Sequence, residues 1–141
     1  MNVEIFRGEA SELMAALELL VPQLSKSNPP PSLGEVKEML ASDAVTQFVA
    51  RDDGGRIIGV STLAVFPIPT ARRAWIEDVI VDEPARGGVG AALTKAMIDR
   101  ARSLGCKTIE LTSRPTREAA NHLYRKLGFQ VRETNVYRYD L

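Results

Sequence analysis

The sequence is poor in the residues that most often carry metal, redox or nucleophilic chemistry, with one cysteine and one histidine among 141 residues. Cys106 cannot close a disulfide within the chain, and no Cys/His cluster has zinc-ligand spacing, so no metal is expected. An excess of one charge is missing too. Eighteen Lys plus Arg balance eighteen Asp plus Glu, which removes the general footprint of a nucleic-acid or anionic-membrane binder and leaves room only for a local basic pocket. No apolar run approaches the ~20 residues that span a bilayer. The opening Met1-Asn2-Val3-Glu4 has no basic region followed by an apolar stretch, so a cytoplasmic protein is expected. Finally, Gly-Lys-Ser and Gly-Lys-Thr do not occur, which excludes nucleotide use through a P-loop.

What is present is the material of one domain, residues 1–141, with 45% hydrophobic residues and enough length to bury a core. Val3 to Phe6 reads as a strand, and Leu13, Leu17, Leu20 and Leu24 line one face of a helix that Pro22 should kink or end. Pro29 to Pro31 lie in a loop, Ser25 to Ser32. Ser32 and Glu35 have the spacing of a capping box for a second helix, with Val36, Met39 and Leu40 on its buried side. Thr46 to Ala50 and Arg56 to Phe66 flank Asp52-Asp53-Gly54-Gly55 and read as a hairpin. A loop carrying Pro67, Pro69, Arg72 and Arg73 leads to a central strand, Trp75 to Val81. A Gly-rich turn then opens a helix with Val89, Leu93, Ala96, Met97, Ala101 and Leu104 on one stripe, ended by Gly105. Lys107 to Thr112 reads as a strand, Pro115 to Leu127 as a helix, and Gln130 to Asp140 as two further short strands. One strand-helix-strand unit inside an otherwise antiparallel order predicts an α/β (α+β) fold with a mixed, mostly antiparallel central sheet flanked by helices.

Two stretches are candidates for chemistry. Arg86-Gly87-Gly88-Val89-Gly90-Ala91 stands between the central strand and the start of a long helix. Free N–H groups and a positive dipole make such a place an anion site, and a diphosphate is its natural ligand; a plain flexible turn is the alternative. A Rossmann assignment fails because Leu93 takes the third glycine's place, Asp82 to Gly87 precede Gly88, and no second nucleotide-binding half exists. The second stretch is Glu118 to Phe129. Ala120, Leu123, Tyr124 and Leu127 form a stripe expected to be buried, Asn121 lies one turn before Tyr124, and the only histidine, His122, points elsewhere and reads as a surface residue. On spacing alone Tyr124 is a core aromatic, and Cys106 a structural residue between helix and strand.

Taken together, Ile76 to Gly90 and Leu123-Tyr124-Arg125-Lys126-Leu127-Gly128-Phe129 resemble the two motifs of the GNAT superfamily of N-acetyltransferases, and the element order matches over essentially the whole chain. Glu77-Asp78 before the apolar triplet is locally similar to the glucosamine-phosphate acetyltransferase branch. The resemblance implies acetyl-coenzyme A as co-substrate. Its pantetheine arm would bond the backbone around Val79, Ile80 and Val81. Its pyrophosphate would lie at Arg86, Gly87, Gly88, Val89, Gly90 and Ala91, and Asn121 would also bind the coenzyme. It further implies Tyr124 as the group that protonates the leaving thiolate, and Glu77 or Asp78 as base toward a small-molecule or peptide amine; either carboxylate reads equally well as a structural partner. Two places depart from the family pattern: Ala85 or the one-residue-displaced Arg86 stands where an Arg or Gln is usual, and Arg117 where an Asn often precedes the Tyr. The acceptor pocket falls to Val21 to Ser32 and Arg132 to Asn135, which carry no chemical signature. A homodimer through the terminal strands is compatible with this reading, and an acyl-coenzyme A-binding regulatory module without turnover is the rival from another class.

Overall fold

The computed structural model describes residues 1–141. Chain contacts divide it into two compact units, Met1–Leu111 and Thr112–Leu141. The first holds a five-stranded mixed sheet in the order β1-β2-β3-β4-β5, made of β1 (Asn2–Ile5), β2 (Val45–Arg51), β3 (Ile57–Ile68), β4 (Ala71–Val81) and β5 (Thr108–Glu110). The first four strands are antiparallel neighbours, and β5 joins β4 in parallel through the crossover helix α3 (Val89–Ser103). α1 (Ala10–Leu24) and α2 (Leu33–Ala41) precede β2.

Alternation along the strands separates two apolar faces. Leu13, Leu17 and Leu20 of α1 and Val36 of α2 cluster with Phe6, Val49, Ile57, Val60 and Ile80 on one face. On the other, Gly59 faces Val89 and Leu93 of α3. A Cβ at Gly59 would stand 2.9 Å from Val89 Cγ1 and 3.1 Å from Leu93 Cδ1, so the bare backbone lets the start of α3 seat directly on β3.

The local signals act as their chemistry requires. Ser32 Oγ accepts from the Glu35 N–H at 3.2 Å and the Glu35 carboxylate accepts from the Ser32 N–H at 3.1 Å, closing the capping box. In the β2–β3 turn Asp52 Oδ1 accepts from the N–H groups of Gly54 and Arg56, while Gly55 supplies a φ of 86°. Gly105, at φ 78°, ends α3: its N–H bonds the Arg102 carbonyl and the Cys106 N–H bonds the Ala101 carbonyl, which makes half-buried Cys106 part of the helix stop.

Several expected boundaries move. α1 continues through Pro22 to Leu24, because the one lost bond leaves a carbonyl at Glu18 on the solvent side, where water serves it. The expected loop at Pro67 to Arg73 is instead the end of a long β3–β4 hairpin turning at Pro69-Thr70, with Pro67 opposite Arg72. Pro67 is tolerated because β2 stops pairing at Ala64, so β3 has an edge there that asks for no donor. β5 keeps only the middle of Lys107 to Thr112.

In the second unit α4 spans Glu118–Lys126, with Pro115 outside it. Its stripe of Ala120, Leu123, Tyr124 and Leu127 is half-buried rather than buried. Gly128, at φ 100°, stops it as Gly105 stops α3, with the Phe129 N–H on the Tyr124 carbonyl at 3.0 Å. The two strands expected in Gln130 to Asp140 do not form. This segment contains no assigned strand and is exposed throughout, since strand-forming residues make a strand only when an edge accepts their backbone bonds.

Candidate active site

The first unit gathers most of the candidate residues along one continuous path, β4, a 3₁₀ turn at Glu83–Ala85, and the start of α3. β4 is disturbed in its middle. Thr62 stands opposite Glu77 and Val60 opposite Ile80, so two β4 residues, Asp78 and Val79, meet Ser61 alone. Asp78 takes up the extra length at φ 46° and is the one non-glycine residue with a positive φ. Such a conformation is held against a cost of about 1–3 kcal/mol and recurs at functional sites.

The outer side of β4 is open at the same place. β5 pairs only with Arg73 to Trp75, so from Ile76 to Val81 no strand lies on that side of β4. The backbone around Val79, Ile80 and Val81 therefore offers donors and acceptors to anything extended that carries amides, as in strand addition.

Beyond Val81 the chain is pinned. The Asp82 N–H bonds the Ile58 carbonyl at 2.9 Å. Its carboxylate accepts from Gln23 Nε2 at 3.0 Å and from Arg56 Nη1 at 2.9 Å, while Gln23 Oε1 accepts from the Glu83 N–H at 3.0 Å. The Gln23 amide, then Arg56, hold the Asp82 carboxyl below the usual carboxylate range. After Arg86, which is exposed, Gly87 and Gly88 adopt φ of 127° and 96°, positions that L side chains avoid. No side chain caps α3, and its first internal bond runs from the Ala92 N–H to the Gly88 carbonyl. The N–H groups of Val89, Gly90 and Ala91 are thus unspent and sit at the positive end of a four-turn helix. The glycines thus lead into an uncapped helix start, the geometry on which the sequence places a diphosphate-type anion site. Ala85 lies in the 3₁₀ turn and Arg86 just outside it, so the positive charge stands at the loop itself.

Of the two carboxylates, Glu77 shares a face with Ile80 through its pairing partner Thr62, next to Gln47 on β2. Thr62 Oγ1 donates to Gln47 Oε1 at 2.8 Å, and Gln47 Nε2 is buried without a partner. Glu77, Thr62 and Gln47 make a polar row on an otherwise apolar face. Burial, and secondarily the charge of Asp78, push the Glu77 carboxyl above its ordinary value, which moves it toward the range of a useful base.

In the second unit Tyr124 is half-buried, its ring meeting Phe129 edge-on with centroids 5.7 Å apart. Burial pushes its hydroxyl up, against a smaller lowering by Arg117, so the phenol stays protonated and able to donate. Asn121 has both amide hydrogens engaged, on the Arg114 and Arg117 carbonyls at 2.9 Å each, and so serves the turn before α4; only its oxygen remains for a ligand. His122 is exposed, as its helix position predicts.

The sequence reading passes over three contributors: Gly59, the Gln23–Asp82–Arg56 tie, and the Gln47–Thr62 pair. Gly59 alone left a signal, an isolated glycine inside the strand run Ile57-Ile58-Gly59-Val60. The others join positions too far apart in the chain for spacing to reveal.

Comparison with known proteins agrees with this geometry. The profile of the Acetyltransferase (GNAT) family matches residues 13–129. The mycothiol acetyltransferase of Propionibacterium freudenreichii subsp. shermanii is 34% identical over 95 residues, 67% of this chain. The aligned part is 30% of that longer protein. Among solved structures, an acetyltransferase of Trypanosoma brucei superposes with a TM-score of 0.79 at 32% identity, covering 99% of this chain and 100% of that one. A protein described as a transcriptional regulator from Bacillus halodurans C-125 gives 0.80 at 26% identity, covering 99% of each chain. The glucosamine-6-phosphate N-acetyltransferase of Arabidopsis thaliana gives 0.78 at 21% identity over 99% of each chain, a likeness of fold alone. The chain is thus matched by a family profile over most of its length and by fold over nearly all of it, and it belongs to the acetyltransferase (GNAT) family.

Proposed function

We propose that this protein transfers the acetyl group of acetyl-coenzyme A directly to a primary amine, with both substrates bound together. The observation that carries the reading is the succession, within one unit, of an unpaired β4 edge at Ile76 to Val81 and an uncapped α3 start at Gly87 to Ala91. The first suits the amides of a pantetheine arm and the second a pyrophosphate, and the two chemistries occur together in coenzyme A. The family profile runs across the boundary at Leu111, which supports treating 1–141 as one functional domain.

In this reading the amine nitrogen attacks the thioester carbonyl, backbone N–H groups near Val79 bond the developing oxyanion, and the carbon–sulfur bond then breaks. A free amine of pKa ~10.4 is almost wholly protonated at neutral pH, so a base must take its proton before or during attack. Glu77, with its raised carboxyl, is favoured over Asp78 for that role, directly or through water. As the carbon–sulfur bond breaks the nitrogen gives up its remaining excess proton to water, and Tyr124, in the role the resemblance assigns it, protonates the departing thiolate and is itself reprotonated from water. The steps as written use no metal and no side-chain nucleophile.

A second reading, a regulatory module that binds an acyl-coenzyme A without turnover, draws support from the Bacillus halodurans relative described as a transcriptional regulator. Both are tested by one experiment: a panel of amines incubated with the protein and acetyl-coenzyme A, with release of free thiol as readout and calorimetry for binding. Amine-dependent thiol release supports transfer. Tight binding with no release by any peptide, amino-sugar, amino-acid or aromatic amine supports the module, and no binding overturns both.

A further inference from the structure

One row of side chains breaks the apolar face that β2, β3 and β4 turn toward α1 and α2. Gln47, Thr62 and Glu77 stand opposite one another on the three strands. Their exposure rises in that order: Gln47 is 5% accessible, Thr62 half-buried and Glu77 exposed. The row thus runs from the core to the open edge of β4. Thr62 Oγ1 donates to Gln47 Oε1 at 2.8 Å, and Gln47 Nε2 is buried with no partner. A buried donor left unpaired costs stability that an apolar side chain in its place would not. Stability therefore does not account for Gln47. What the amide achieves is to fix the Thr62 hydroxyl hydrogen: an amide oxygen can only accept, so the Thr62 proton is committed to it and the hydroxyl can only accept from any further partner. Beside it an ionised Glu77 carboxylate accepts only, too. The open end of the row is thus a pair of acceptors. The rows on either side, Val45–Ala64–Trp75 and Val49–Val60–Ile80, carry no charge and offer hydrocarbon and indole surface.

We propose that the acceptor amine carries a second hydrogen-bond donor, a hydroxyl or a further N–H, that Thr62 Oγ1 receives it, and that Gln47 is the positioning residue that holds the hydroxyl in its accepting state. This inference rests on the acetyl-transfer reading, in which the reacting nitrogen meets the thioester beside Val79 on the open side of β4. Thr62 lies one strand further in, so about one to two strand spacings of ~4.8 Å separate the two points. A linker of about two to five carbons, ended by a hydrogen bond of ~2.8 Å, covers that distance, and the apolar surface of the flanking rows suits its carbons. The substrate class is thus an amino alcohol or a diamine rather than a simple alkyl amine.

The test measures thiol release from acetyl-coenzyme A with three series of primary amines: aminoalkanols from ethanolamine to aminopentanol, alkyl amines in which methyl replaces the hydroxyl, and the methyl ethers of the same aminoalkanols. With the parent protein, the aminoalkanol should have a higher kcat/KM than both counterparts at one chain length or more. Thr62→Val keeps the β-branched shape suited to a strand and removes the hydroxyl. In it that preference should fall by about 2- to 12-fold, the worth of one neutral hydrogen bond. Thr62→Ser should restore it. Comparing the ratio of two amines between proteins cancels their different basicity. A merely structural Thr62 slows all amines alike, and an unchanged ratio in Thr62→Val overturns the proposal. So does a parent with no aminoalkanol preference at any length, or one that favours the ethers, because Thr62 would then be donating. The parent's own ranking needs no variant, so misfolding of Thr62→Val does not shield the proposal. If another amine of the wider panel is acetylated and none of these series is, this inference fails while acetyl transfer stands; if no amine at all is acetylated, both fail.

Discussion

Gly59→Ala adds one methyl group near the start of β3, yet it should weaken coenzyme binding at the start of α3. The new Cβ would lie 2.9 Å from Val89 Cγ1, 3.1 Å from Leu93 Cδ1 and 3.4 Å from the Ile80 carbonyl oxygen. Carbon atoms rest at about 3.5–4.0 Å, so the helix side chains must retreat by roughly 0.5–1 Å. They have little freedom to do so: Val89 and Leu93 are buried at 4% and 0% exposure, and a valine in a helix keeps one rotamer. Overpacking of this kind costs about 1–3 kcal/mol, against a gain of ~0.4–1 kcal/mol from a stiffer unfolded chain. The cheapest relief is to lift the first turn of α3, and that turn carries the free N–H groups of Val89, Gly90 and Ala91. Losing one hydrogen bond to a charged phosphate is worth about 1.5–3 kcal/mol, a ~10- to 150-fold weaker Kd. Calorimetry with coenzyme A reads that loss, and a pantetheine fragment without the pyrophosphate serves as control, since its affinity should stay unchanged. Val89→Ala in the same chain removes the tightest contact, and the pair should bind better than Gly59→Ala alone. If Gly59→Ala lowers stability in urea while coenzyme A binds as before, the seating of α3 on β3 does not set the anion site.

How far the sequence reveals this arrangement depends on how local each cause is. The capping box at Ser32 and Glu35, the turn at Asp52 to Gly55 and the helix stop at Gly105 are each complete within six residues, and each forms as read. Two or three neighbours suffice to satisfy the backbone there. The glycine turn before α3 is legible for the same reason, because the positive φ of Gly87 and Gly88 suits glycine whatever surrounds them. The open edge and bulge of β4 are a different matter. They exist because β5 stops after Glu110 and because Asp78 and Val79 share one partner, facts of pairing that no single segment contains. The resemblance to a family implies only that the backbone around Val79, Ile80 and Val81 bonds a pantetheine arm, while spacing alone predicts a central strand. The misplaced loop at Pro67 to Arg73 has the same origin, since proline is excluded from a strand only where its N–H is wanted. Residues 130–141 show the converse: alternation favours strands there, and none forms.

The remaining expectations concern the coenzyme, the base, the pinned loop and the leaving group. Gly90→Asp should abolish measurable coenzyme binding with the fold intact, because it sets a carboxylate among the α3 donors; unchanged affinity would return Arg86 to Ala91 to the status of a plain turn. Glu77→Gln should remove the acidic limb of the rate profile, which falls as pH drops through the raised Glu77 value, whereas Asp78→Asn should keep it; identical profiles for both variants and the parent assign deprotonation to solvent. Asp82→Asn should cost about 1–3 kcal/mol of stability at pH 7. Because the folded Asp82 carboxyl is held low, that contribution is present above the unfolded value of ~3.9 and is lost as pH falls through the folded value, so urea midpoints of variant and parent should converge in acid; a constant difference would refute the charge-based account. Tyr124→Phe keeps the ring against Phe129 and removes only a hydroxyl that stays protonated at neutral pH, so fold and coenzyme affinity should survive while turnover falls by ~10² to 10⁴-fold, the range for a positioned acid. A merely structural tyrosine could also slow the enzyme, and the leaving group separates the two roles. A thiol of pKa near ~8.5 needs help to depart, but an acetyl thioester of a more acidic thiol needs less. The deficit of the variant should therefore shrink as the donor's thiol becomes more acidic. A deficit that is the same for every donor, or absent where chemistry limits the rate, makes Tyr124 the core aromatic that its helix stripe suggests and leaves the sulfur to be protonated by water.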